Sequence, residues 1–382
     1  MKNIILLFSI ILLTSCSEKS VQITVENSLN FDRNKEIVEL STAELSTDFV
    51  NKTYVLEDEK GVEIGYQLLS DNQTLIFQVN IPANDSVVYI LREGKPAPVA
   101  PVAHVRFVPE RRDDMSWEND IAAFRMYGPS LMEIQQPSNG VDIWMKYRDQ
   151  PVMDSLYAAE LERKISYHED SGLGGLDCYD VNHTLGAGGP APYTTKLWIG
   201  DAFNRYEIKE SGPLRSVFTL YYDSINVDGS KFTETFTITS DAGSPLNKGV
   251  VKFEGDKPVQ AATGIFMHGD SANTVFDKEN KIISYTINTF SNKKVPQGQT
   301  YIGVYAPSMT CCEPFFEDKN YTVLNEYKTG DELTYYFGGG WSKWKYPIEQ
   351  DWLTALAHFS QAKQNPLKVT TSNITSFKLT IK

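Results

Sequence analysis

Val217-Phe218-Thr219-Leu220-Tyr221-Tyr222 and Phe232-Thr233-Glu234-Thr235-Phe236-Thr237-Ile238 flank Val227-Asp228-Gly229. Both runs alternate at period two and are rich in β-branched and aromatic residues, the pattern of strands with one buried face. Asp-Gly between them is a hairpin signal, because both central positions of the tight turn need positive φ. Ile282-Ile283-Ser284-Tyr285-Thr286-Ile287 and Glu332-Leu333-Thr334-Tyr335-Tyr336-Phe337 repeat the alternation. So do Val21–Val25, Thr53–Leu56, Leu75–Val79 and Val87–Leu91. Two helices interrupt the strand text. One runs from about Pro347 to Gln364, opened by proline and followed by Pro366; a weaker one runs from Pro151 to Lys164.

The expected fold class is all-β: a large antiparallel two-sheet sandwich (supersandwich-like) over 99–382, preceded by a small β-sandwich over 21–98. The proline-rich linker Gly94-Lys95-Pro96-Ala97-Pro98-Val99-Ala100-Pro101 sets the boundary. Of the 382 residues, 41% are hydrophobic and 22% charged, which is a globular composition. A net charge of -13 disfavours nucleic acid as a partner.

The N-terminus reads as an address. Lys2 precedes the ten-residue apolar stretch Ile4–Leu13, too short to span a bilayer as a helix. Leu13-Thr14-Ser15-Cys16 matches a bacterial lipoprotein box. Residues 1–15 are therefore expected to be a signal peptide, Cys16 the lipidated residue and 16–30 a tether. Ser17 after the cysteine favours the outer membrane, so the expected partners include that membrane through the lipid anchor. Cys178, Cys311 and Cys312 remain, and one of the latter two has the option of pairing with Cys178 in an oxidising compartment. No Cys/His spacing fits a zinc site, and neither a metal nor an organic cofactor is expected.

Three segments stand apart from strand text. The first, Pro109-Glu110-Arg111-Arg112-Asp113-Asp114-Met115-Ser116-Trp117-Glu118-Asn119-Asp120, leads into Ala123-Phe124-Arg125-Met126-Tyr127-Gly128-Pro129. Arg111, Arg112 and Arg125 offer planar forks for a carboxylate or sulfate; Trp117 offers a face for sugar C–H groups, with Asn119 beside it. A self-paired, solvated loop is the structural alternative. The second, from Tyr167-His168 through Tyr179 and His183 to Tyr193, holds six glycines between 172 and 189. That much glycine disfavours helix and lets backbone approach a ligand. His168, His183, Tyr179 and Tyr193 are the candidate proton donors and acceptors. The third, Gly338-Gly339-Gly340-Trp341-Ser342-Lys343-Trp344, reads as a flexible turn followed by aromatics, with Trp341 suited to sugar stacking or helix docking. His268 is a further substrate-binding candidate.

Pro109-Glu110-Arg111-x-Asp113-Asp114, Trp117–Asp120, Ala123–Pro129, Tyr167-His168 and Thr184-Leu185-Gly186-Ala187-Gly188-Gly189 resemble one family. It is a lipoprotein or secreted family of long-unassigned function, encoded among genes for pectin and ulvan breakdown, and the resemblance covers most of residues 100–360. One branch is described as an ulvan oligosaccharide dehydratase. The resemblance implies loss of the C5 proton and C4 hydroxyl from a non-reducing-end uronic acid, giving a 4,5-unsaturated uronyl end. The implied partner is an oligosaccharide containing uronic acid. A noncatalytic glycan-binding lipoprotein, and a polysaccharide lyase or glycoside hydrolase on the same fold, are the alternatives.

Overall fold

The computed structural model describes residues 20–269, 271–310 and 312–374. The signal peptide, Cys16 and Cys311 lie outside the described residues, and with them the expected lipidation.

The large sandwich has two layers. One is an eight-stranded antiparallel sheet ordered 205–211, 215–227, 230–241, 246–254, 333–341, 296–305, 282–290 and 274–277. The other is assembled from two smaller sheets. A five-stranded sheet runs 175–177, 142–146, 122–126, 114–118 and 104–108; a four-stranded sheet runs 187–193, 260–266, 320–325 and 315–317. A parallel bridge between Val141 and Gly186 joins these two. Trp117, Phe124 and Ile143 from the five-stranded sheet meet Phe218, Phe236 and Phe337 from the eight-stranded sheet in one continuous core. Asp228 and Gly229 both take positive φ in the turn between 215–227 and 230–241, as the hairpin signal requires.

Each layer carries one helix on its outer face. Helix α1 (Met153–Arg163) packs Met153, Leu156 and Tyr157 against Ala123 and Trp144 of the five-stranded sheet. Helix α2 (Glu349–Gln364) packs Trp352 and Leu356 against Leu246, Ile282 and Tyr301 of the eight-stranded sheet. No helix among the described residues is long and apolar enough to cross a membrane.

The small sandwich departs from the expected 21–98 in two ways. Strand Ser20–Glu26, placed by the sequence partly in a tether, pairs along its whole length with 86–93. Its other edge is covered by Lys368–Ile374 from the C-terminal end of the chain. The module is thus closed by residues more than 300 positions away, which a local reading does not detect. It is also fastened to the large sandwich: the Gln67 side-chain oxygen accepts from the amides of Leu214 and Arg215, and Lys35 pairs with Asp120 at 3.0 Å.

The triplet Gly338-Gly339-Gly340 is strand, not turn. A Cβ on Gly339 would sit 2.4 Å from the Tyr301 carbonyl oxygen, and one on Gly340 2.3 Å from the Tyr346 ring. These glycines permit close packing and are not hinges.

Candidate active site

Strand alternation sends Asp114, Arg125, Asp142 and Asp177 to the same outer face of the five-stranded sheet, beneath α1. Register then brings them together. Arg125 lies directly opposite Asp142, and Asp177 opposite Trp144, two residues along from Asp142. The Arg125 guanidinium donates to Asp142 Oδ2 from Nε at 2.9 Å and Nη2 at 2.5 Å, and to Asp177 Oδ2 at 3.1 Å. Asp114 Oδ2 is 3.6 Å from its Nη1. All four side chains are buried. Tyr127 and Trp144 box the guanidinium in, with ring centroids 4.9 and 5.0 Å from Cζ.

One buried cation faces three buried acids, so not every carboxyl can ionise cheaply. Burial pushes the Asp114 carboxyl up to about 6 against the pull of Arg125 and Arg111. Burial also raises Asp142, opposed by Arg125, and raises Asp177 well above its ordinary value, reinforced by the Asp142 charge. The cluster therefore holds its protons more tightly than exposed carboxyls would. Asp114 Oδ2, Asp142 Oδ1 and the Tyr157 hydroxyl have no hydrogen-bond partner among the described residues.

The cluster reaches solvent through His168. The Asp177 amide donates to the Tyr167 carbonyl at 2.8 Å, which lays the 167–168 segment along strand Gly175–Asp177. His168 Nδ1 lies 3.2 Å from the Asp177 carbonyl oxygen and 3.5 Å from its carboxylate Oδ2. The imidazole keeps 31% side-chain exposure, and Nε2 has no partner among the described residues. Tyr167 ties the rim together: its hydroxyl accepts from Arg111 Nε at 3.0 Å and from Arg125 Nη1 at 3.4 Å.

The arginines of this region differ in occupancy. Arg106 pairs with Asp154 at 2.6 Å and Glu110 at 2.7 Å, Arg112 approaches Glu133 at 3.7 Å, and Arg125 is saturated by aspartates. Half-buried Arg111 has no carboxylate within 4.0 Å among the described residues.

A second ion pair on the same sheet face is structural. Buried Lys146 donates to Glu118 Oε2 and to the Asn119 carbonyl, each at 2.6 Å. Glu118 in turn accepts from the amides of Val152 and Met153, capping the start of α1.

Several expected site residues lie elsewhere. Trp117 is in the core, stacked on Phe124, with Nε1 donating to Asn247 Oδ1 at 3.2 Å; no ring face is open to a sugar. Trp341 is equally buried, with Nε1 donating to the Gln297 carbonyl at 2.6 Å. Asn119 is buried and spends its amide on the Asp241 and Ser244 carbonyls. Arg125 is sealed from solvent by its own acids, so it cannot clamp a substrate carboxylate directly. Tyr179 is buried, its hydroxyl donating to the Phe266 carbonyl at 2.8 Å, and its ring stands edge-on to half-buried His268 at 4.4 Å. His183 is exposed and makes no hydrogen bond among the described residues. Tyr193 pairs with Gln260 at the other end of the strand that ends at Phe266. Six residues of strand separate it from Tyr179, about 20 Å. The glycines of 184–189 also pack and do not expose backbone: Gly186 takes φ +62°, and a Cβ there would fall 2.1 Å from the Val141 carbonyl oxygen. Cys178 and Cys312 are free thiols, and burial pushes the Cys178 thiol well up.

Sequence reasoning missed Asp142 and Asp177. The available signal was an aspartate inside apolar strand text, Val141-Asp142-Ile143-Trp144 and Leu176-Asp177-Cys178, where an unpaired charge would be costly. Among the described residues no group of three or more His, Cys, Asp or Glu is arranged to hold a metal ion.

A curated relative, "Uncharacterized protein P7" of Formosa agariphila, is 27% identical over 411 aligned positions, covering 97% of this chain and 99% of the relative. Two solved structures from Enterococcus faecalis share the fold. An alpha-mannosidase aligns with TM-score 0.53 at 9% identity, covering 93% of this chain and 47% of its own. A protein in the glycosyl hydrolase family 38 aligns with TM-score 0.52 at 8% identity, covering 93% and 49%. The chain thus spans about half the length of these structures, and the likeness is one of fold. Residues 25–369 match the model of a domain of unknown function, DUF4861, and the chain belongs to that family.

Proposed function

We propose that this protein is a carbohydrate-active enzyme that removes water from the non-reducing-end uronic acid of an ulvan-type oligosaccharide. The observation that carries the reading is that Tyr167 links two groups: its ring lies 4.7 Å from acid-backed, solvent-reaching His168, and its hydroxyl accepts from Arg111, the arginine of its segment with no carboxylate within 4.0 Å among the described residues. The glycosidase-like fold of the solved neighbours supports carbohydrate as the substrate class, by analogy.

The reaction makes three demands. The C5 proton is barely acidic while the adjacent carboxylate is charged, so a cation must neutralise that carboxylate as an enolate-like transition state develops. Arg111 supplies it with a planar fork. A base must reach C5–H, and His168 Nε2 takes that proton while Asp177 holds Nδ1. The C4 hydroxyl must leave as water. We assign the proton it needs to Tyr127, the half-buried phenol whose ring lies 4.9 Å from the Arg125 guanidinium carbon at the edge of the cluster. The C5–H electron pair becomes the C4–C5 double bond, the C4–O bond breaks, and solvent returns the proton from His168 to Tyr127.

The same reading puts the enzyme at the outer membrane through a lipid on Cys16; the box Leu13-Thr14-Ser15-Cys16 supports this, and it suits a substrate met outside the cytosol. Arg111→Ala and His168→Ala test the assignment: each should abolish water loss from a uronate-ended oligosaccharide while leaving the unfolding temperature near wild type. Unchanged turnover in both variants would contradict it.

A further inference from the structure

An open groove of about 810 Å³ lies where Tyr193 pairs with Gln260, at the opposite end of strand 260–266 from Phe266. Tyr193 and Tyr327 line it, together with Lys257, Lys328, Gln260 and Thr329. We propose that it is a second oligosaccharide site, one that takes the carboxylate or sulfate groups of an acidic glycan without acting on them. The ligand class rests on the proposed function.

The groove is built in advance. Thr329 Oγ1 donates to the Lys257 carbonyl at 2.9 Å and accepts from the Val259 amide at 2.9 Å, stitching the 255–259 loop to the 327–330 loop. The Tyr327 hydroxyl donates to the Phe253 carbonyl at 3.2 Å and accepts from the Phe253 amide at 2.8 Å, which fixes its ring at the wall. Tyr193 is held by Phe315, with ring centroids 5.4 Å apart. Binding would therefore order little of the protein.

Charge sets the ligand class. In a chain of net charge -13, this groove carries two lysines and one acid, Asp256. Lys257 Nζ donates to the Asp228 carbonyl at 2.9 Å. Neither lysine has a carboxylate within 4.0 Å among the described residues. Two half-buried tyrosines supply rings for sugar C–H faces, and Gln260 and the threonines supply hydroxyl partners. An acidic oligosaccharide satisfies lysines and tyrosines together; a neutral one leaves both ammonium groups unused.

The test uses the full chain carrying Arg111→Ala, which removes the proposed clamp at the His168 site. Calorimetry would compare trigalacturonate, a carrageenan oligosaccharide that carries sulfate but no carboxylate, and uncharged maltotriose. At least one anionic probe should bind more tightly than maltotriose, weaken as salt rises, and weaken by ~10-fold or more when Lys257→Ala and Lys328→Ala are added. The two anionic probes separate carboxylate from sulfate recognition. Equal affinity with and without the lysines, no preference for anionic probes, or no binding at all would overturn the proposal. Water loss by the wild-type chain is read separately on the same oligosaccharides, so failure of the groove and failure of the dehydratase reading are distinguishable. Lys257→Ala and Lys328→Ala alone should leave turnover at saturating substrate unchanged.

Discussion

His168 Nδ1 sits 3.2 Å from the carbonyl oxygen and 3.5 Å from the carboxylate Oδ2 of Asp177, a residue buried against Arg125. The imidazole is thereby oriented with Nε2 outward, as a general base must be. Replacing His168 by Ala should cut turnover by at least ~10²-fold. Asp177→Asn keeps the shape but removes the titrating group behind the ring. It should lower kcat and shift the pH–rate profile, with KM little changed. A purely structural role for Asp177 would leave the profile in place, and stopped-time assays across pH separate the two.

Arg125 is the cation that makes three neighbouring aspartates tolerable. Arg125→Ala strands them in a buried site and should cost roughly 3–5 kcal/mol of stability. Urea unfolding measures this, and a loss below ~1 kcal/mol would show that the acids are already neutral without it.

Glu234 lies within the eight-stranded sheet, fully buried, with Oε2 accepting from the Asn139 side chain at 2.9 Å and Oε1 unpartnered. Burial pushes its carboxyl up to about 8 from an ordinary 4.5. The folded state thus holds this proton more tightly than the unfolded state. The resulting stabilisation is complete below the unfolded value and is lost as pH rises through the folded one. Thermal melts of the wild-type chain should show stability falling as pH climbs from about 4.5 to about 8. At ~1.4 kcal/mol per pH unit the total is several kcal/mol. Glu234→Gln should flatten most of that slope. Asp114, raised to about 6, adds a smaller fall of the same sign at lower pH.

Trp117 and Trp341 are core residues, so their variants should report on stability and not on substrate. Trp341→Ala should cost ~3–5 kcal/mol. Trp117→Phe should leave KM unchanged in the folded fraction. A raised KM with an unchanged melting temperature would return either indole to a sugar-binding role.

The strands were legible because each buries one face and so alternates at period two: 217–222 and 232–238 fall inside the observed 215–227 and 230–241. Both helices were legible from their apolar faces and prolines. Strand Lys368–Ile374 was not, because it is an exposed edge that pairs, among the described residues, with a strand at the opposite end of the chain. Within the candidate site, the text offered Arg111 as one of three arginines in a charged segment and His168 as one of two histidines in a glycine-rich one, without ranking them. The aspartates behind them come from three separate strands and meet only through sheet register, which the sequence does not state. Trp117 and Trp341 misled for a physical reason: an indole beside charged residues reads alike whether it faces solvent or, by alternation, the core. Glycine misled similarly, since the need for close strand packing and the need for close ligand approach leave the same residue.

The most direct test is mass spectrometry of ulvan-derived oligosaccharides with saturated uronic acid ends after incubation with the protein. Loss of one water at constant chain length, with a new enoate absorbance in the ultraviolet, is the predicted result, and Arg111→Ala and His168→Ala should abolish both signals. Shortened chains, or a spectrum unchanged on both ulvan- and pectin-derived substrates, would contradict the dehydratase account.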